Sequence, residues 1–120
     1  MTFLRPLLGA AMLAALLGSP VAAHSVLTEA DPAAGATLAA VPAVTLTFGE
    51  SVGLDFASLT LEAQDGSKIE LGDLQAAKDG HALVAPVPDD LAAGTYTVRW
   101  SVLSRDGHPV QGDYTFTLAP

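Results

Sequence analysis

An all-β sandwich or Greek-key barrel of about seven strands is the fold class the sequence predicts. Three observations carry that expectation. Apolar and polar residues alternate with a period of two over residues 44–48, 59–63, 96–102 and 112–118, as half-buried strands require. Asp65-Gly66 and Asp79-Gly80 are hairpin-type turn pairs, and Asp106-Gly107 makes a third. Beyond the first two dozen residues no stretch offers a convincing helix.

The first 23 residues read as a leader rather than as part of the fold. Arg5 supplies a positive start, and residues 7–17 form a short apolar run. Gly18, Ser19 and Pro20 break that run, and Val21-Ala22-Ala23 places small residues where a signal peptidase cuts. The apolar run is short for a membrane span, and no second one follows. The expected organisation is a signal peptide over 1–23 and one β-domain over 24–120, exported and soluble. A retained anchor is the competing reading of the same residues.

Residues 24–29 read as a short first strand. Asp31-Pro32-Ala33-Ala34-Gly35 is turn chemistry, since proline fixes φ and glycine admits positive φ. Residues 37–40 have room for one helical turn, and Pro42 stops anything longer. Val44, Leu46 and Phe48 alternate with Thr45 and Thr47 in a second strand. Residues 52–56 fit no single element. Leu59, Leu61 and Ala63 form the next strand, Asp65-Gly66 turns it, and residues 68–71 return. A strand over residues 81–85 is closed by Pro86 and Pro88. Leu91, Gly94 and Tyr96 then follow the Leu-x-x-Gly-x-Tyr spacing of the tyrosine corner in immunoglobulin-like sandwiches. Tyr96, Val98, Trp100 and Val102 line one face of the strand that follows. Gly112, Tyr114, Phe116 and Leu118 line one face of the last, and Trp100 and Phe116 are the large core candidates.

The composition excludes several functions. The net charge of -8 argues against nucleic acid or an anionic membrane as partner. There is no cysteine, so no disulfide staples an exported domain of this size. Both methionines, Met1 and Met12, lie in the leader. The remaining chain has neither thiolate nor thioether, which excludes a soft Cu(I) site or a blue-copper site built from its own side chains. No Gly-x-Ser-x-Gly elbow, His-Glu-x-x-His motif or phosphate loop is present. Asp89-Asp90 is a carboxylate pair in a proline-rich loop, where solvation is the simpler reading.

Metal chemistry fits better. Asp106 and His108 stand two residues apart beside a glycine turn. Taken alone, they are an ordinary hairpin turn with a neighbouring histidine. His24 changes that, because cleavage after Ala23 makes it the first residue. An N-terminal histidine offers its α-amine and its ring Nδ1, which together close a six-membered chelate ring. The amine sheds its proton readily, with a free pKa of about 7.7–8.0. A second imidazole and a carboxylate complete three nitrogens and one oxygen, a tetragonal set suited to Cu(II). Zinc competes for such donors, but Cu(II) stands above it in the Irving–Williams order. Glu50, just after the second strand, is either a solvated turn carboxylate or an axial or supporting group at the metal. His81 sits at a hairpin end and is read as a surface residue rather than a ligand.

These residues carry a family resemblance. His24, the Asp31-Pro32 turn, Leu46-Thr47-Phe48-Gly49-Glu50 and Gly94-Thr95-Tyr96-Thr97-Val98-Arg99-Trp100 form its first part. Ser104-Arg105-Asp106-Gly107-His108-Pro109-Val110 and residues 112–118 complete it. In these residues, spread over nearly all of 24–120, the chain resembles the CopC family of bacterial periplasmic copper-binding proteins. The resemblance implies an immunoglobulin-like Greek-key β-barrel carrying Cu(II) in the periplasm. It implies His24 as the bidentate ligand, Asp106 and His108 as the remaining ligands, and Glu50 near the copper. Some relatives add a methionine-rich loop that holds Cu(I); the matching region here, roughly residues 63–79, has no methionine, so a Cu(II)-only member is expected. An inner-membrane copper transporter of the CopD type is the implied partner, as a separate chain, and the domain is expected to be a monomer.

The leading expectation is a non-enzymatic copper carrier or buffer in homeostasis or resistance. A histidine-brace copper monooxygenase is one alternative, disfavoured because Asp106 would close the position that oxygen needs. A metal-free immunoglobulin-like interaction module is the other.

Overall fold

The computed structural model describes residues 27–120. The expected leader, its cleavage point and His24 lie outside the described residues. Nine strands are formed: β1 (Leu27–Asp31), β2 (Thr37–Leu38), β3 (Ala43–Phe48), β4 (Ser58–Glu62), β5 (Lys68–Ile69), β6 (Gln75–Ala77), β7 (Ala82–Pro86), β8 (Gly94–Leu103) and β9 (Pro109–Leu118). They build a two-sheet sandwich. One sheet runs β1-β3-β7-β6 and the other β2-β9-β8-β4-β5. Every pairing is antiparallel except the short parallel contact of β2 with β9. Among the described residues no helix is long and apolar enough to cross a membrane.

The period-two alternation delivers the core. Val44, Leu46 and Phe48 of β3 face Val98, Trp100 and Val102 of β8 and Phe116 of β9, with Leu61 and Leu83 between them. Phe48 and Trp100 meet edge to face with ring centroids 5.2 Å apart. Tyr96 stacks on Phe116 at 5.7 Å. Each such side chain, fully buried, contributes about 1.5–3 kcal/mol, and this core is what replaces cross-links in a chain without cysteine. The tyrosine corner forms as its spacing predicts: the Tyr96 hydroxyl donates to the Ala92 carbonyl at 2.5 Å.

Three features depart from the sequence expectations. The segment over 37–40 makes no helical turn. Thr37 and Leu38 are extended against Thr117 and Leu118, because the carbonyl of Ala36 and the amide of Ala119 find partners there. The ambiguous segment resolves into a 3-10 turn, Leu54–Phe56, with both apolar residues exposed. Gln75–Ala77 is a short edge strand against β7 that lacks apolar alternation. These short pieces raise the count from the expected seven to nine.

One end of the sandwich gathers the chemistry. β8 and β9 form a long hairpin whose register runs from Gly94 opposite Leu118 to Leu103 opposite Pro109. At its turn end, β3 finishes at Phe48, which pairs with Leu27, the first described residue. The Phe48 amide also donates to the His81 carbonyl at 2.8 Å, bringing the β6–β7 turn to the same end.

Candidate metal centre

The inward face of β8 continues past the strand. After Tyr96, Val98, Trp100 and Val102, the next inward position is Ser104, only 4% exposed. Residues 104–108 then reverse the chain. The Ser104 amide donates to the His108 carbonyl at 2.9 Å, and the Gly107 amide donates to the Ser104 carbonyl at 2.9 Å. Gly107 takes φ +88°, a left-handed conformation that L side chains rarely adopt, so glycine suits the position. This tight reversal sets the side chains of Asp106 and His108 next to each other: Asp106 Oδ1 lies 3.2 Å from His108 Nδ1.

Two further groups hold the turn. The Ser104 hydroxyl donates to Asp106 Oδ1 and accepts the His108 backbone N–H at 3.1 Å. From outside, Glu50 Oε2 accepts the Arg105 N–H at 3.1 Å, a link across 55 positions of sequence. That contact gives Glu50 a structural task beside the candidate ligands. The Asp106 carboxyl is held below its usual range, first by the Ser104 hydroxyl; desolvation opposes that, and the neighbouring His108 imidazole adds to the lowering. An ionised carboxylate beside an imidazole is the form a metal ion takes up. The side chains of His108 and Asp106 are 74% and 49% exposed, so an incoming ion reaches both without passing through the core.

The structure sets Asp106 and His108 side by side and places Glu50 against the backbone of the same turn, at Arg105. It does not bring His81 into that group: the His81 ring Nδ1 lies 3.2 Å from the Lys78 carbonyl, within its own hairpin. Among the described residues no group of three or more histidine, cysteine or carboxylate side chains is placed to hold a metal ion. Among the described residues, Asp106 and His108 therefore stand as a pair. Ser104 was not singled out from the sequence. Its signal was legible: it is the fifth member of the inward series of β8, and a polar residue at a buried position implies bonded partners.

Residues 27–119 match the CopC domain. The chain belongs to the CopC family. It is 39% identical over 105 residues to Protein YobA of Escherichia coli (strain K12), covering 86% of this chain and 85% of that protein. It is 33% identical over 114 residues to Copper resistance protein C of Xanthomonas campestris pv. juglandis, covering 89% and 90%. The crystal structure of CopC from Methylosinus trichosporium OB3b superposes with a TM-score of 0.74 at 35% identity, covering 81% of this chain and 95% of that one. As a CopC-family chain, it carries the β-sandwich described above.

Proposed function

We propose that this CopC-family chain is a periplasmic Cu(II) carrier or buffer serving copper resistance or homeostasis, and not an enzyme. The observation that carries the reading is the turn over residues 104–108. It holds one carboxylate and one imidazole side by side at an exposed end, and Glu50 grips its backbone. That end also holds Leu27, where β1 pairs with Phe48. His24 precedes Leu27 by three residues, a stretch of chain that spans at most about 10 Å. If export removes residues 1–23, the α-amine and imidazole of His24 join Asp106 and His108 in a three-nitrogen, one-oxygen set.

That donor set favours Cu(II) over softer ions, and residues 24–120 contain neither cysteine nor methionine to attract Cu(I). Copper is the cargo here, taken up and released. The similarity to Copper resistance protein C supports the physiological role. A separate inner-membrane transporter of the CopD type is the proposed partner, with the domain acting as a monomer.

Calorimetry with Cu(II) on exported, processed protein tests the reading, alongside the same protein with its N-terminal amine acetylated. The free amine should bind one Cu(II), and acetylation should weaken binding by orders of magnitude, because an amide no longer offers the lone pair. Equal affinity of the two forms would defeat the assignment of His24.

A further inference from the structure

We propose that Ser104 is the positioning residue of the copper site, its buried hydroxyl holding Asp106 and His108 in their binding arrangement before the ion arrives. The inference rests on the copper reading above. Among the described residues, Ser104 is the one buried polar or charged side chain outside the aromatic core. A hydroxyl has one hydrogen to give and lone pairs to receive. Here the hydrogen goes to Asp106 Oδ1 and a lone pair takes the His108 N–H at 3.1 Å. One atom therefore fixes the side chain of one proposed ligand and the backbone of the other. The same Oδ1 faces His108 Nδ1 at 3.2 Å, so the three residues form a closed set.

The fold of the turn does not depend on that hydroxyl. Its reversal is made by backbone bonds, Ser104 N–H to the His108 carbonyl and Gly107 N–H to the Ser104 carbonyl, which a smaller side chain leaves in place. Glu50 grips the Arg105 amide independently. Without the hydroxyl, the turn keeps its path while the Asp106 carboxylate loses its bond to Ser104 and is held less firmly beside His108. Binding must then order that side chain itself, which weakens it. Groups of this kind behind metal ligands typically change affinity by about 10–100-fold when removed.

Ser104→Ala in the processed chain separates placement from folding. Three readouts apply: the metal-free thermal melt, the Cu(II) affinity by competition, and the electron paramagnetic resonance spectrum of the Cu(II) form. Positioning predicts affinity weaker by about 10–100-fold, well below the melting temperature, together with an altered copper spectrum. A merely structural serine would lower the melt and leave affinity and spectrum as in the wild type, which overturns the proposal. A second measurement uses the wild type alone. The His108 amide should be protected from hydrogen exchange in the metal-free protein. Exchange at the free-peptide rate until copper is added would show that nothing is held beforehand, and also overturns it. If Ser104→Ala does not fold, the exchange result decides. A wild type that binds no Cu(II) removes the copper reading and this proposal together, whereas wild-type binding that Ser104→Ala leaves unchanged removes the proposal alone.

Discussion

Gly112→Ala is the sharpest stability test the core offers. Gly112 sits opposite Trp100 in the β8–β9 register. A Cβ added there would lie 2.7 Å from Trp100 Cζ2, 3.0 Å from Cε2 and 3.3 Å from Nε1. Carbon pairs prefer about 3.5–4.0 Å, so the indole has to retreat. It has little room, because Phe48 packs edge-on at 5.2 Å and is itself 1% exposed. Overpacking of this sort costs about 1–3 kcal/mol. Alanine also restricts the unfolded chain, which returns about 0.4–1 kcal/mol. Taking the middle of both ranges, the net expectation is a loss of about 1.3 kcal/mol. For a domain of this size that lowers Tm by about 5–10 °C. Thermal melts of the metal-free protein followed by far-ultraviolet circular dichroism measure it. A change smaller than about 2 °C would mean that the indole moves aside freely, and that Trp100 is not held tightly between Phe48 and Gly112.

Three other outcomes follow from the structure. Tyr96→Phe deletes the bond to the Ala92 carbonyl and should cost about 1 kcal/mol in urea unfolding with an unchanged m-value. His108→Ala should cut Cu(II) affinity strongly in calorimetry, whereas His81→Ala, whose ring faces the Lys78 carbonyl, should leave it unchanged. Tyr114 is pushed up from 10.0 to about 12, first by burial and then by the Asp31 charge, and its hydroxyl has no bonding partner among the described residues. A raised pKa means the folded state favours the neutral phenol. That stability is fully present below about pH 10 and is lost as pH climbs toward 12. Urea midpoints measured across that window should fall less in Tyr114→Phe than in the wild type.

The parts of the fold legible in the sequence are those where a local pattern and its tertiary environment agree. The inward series of β3 and β8 alternates without interruption, and the Leu91–Gly94–Tyr96 spacing names its own hydrogen bond. What escaped was set by distant partners. Thr37 and Leu38 are extended only because the end of β9 lies alongside them. Gln75–Ala77 takes its shape from β7 and carries no alternation of its own. The same division runs through the site. Asp106 and His108 stand out because they are neighbours in sequence, but the reach of Glu50 to the Arg105 amide has no local trace. Ser104 was readable from its parity on β8, and a serine among valines at a buried position is the kind of exception a site produces.

The long β8–β9 hairpin also fixes how the molecule can be mounted. Its ten-residue strands span about 30 Å, with the reversal at one extremity and Leu118, two residues before Pro120, at the other. A surface, dye or bead linked through Pro120 would leave the Asp106–His108 extremity pointing away from its attachment. On the proposed copper reading, linkage through the His24 amine would instead block the proposed chelate. An electrode or sensor built on this scaffold should therefore be anchored by its tail.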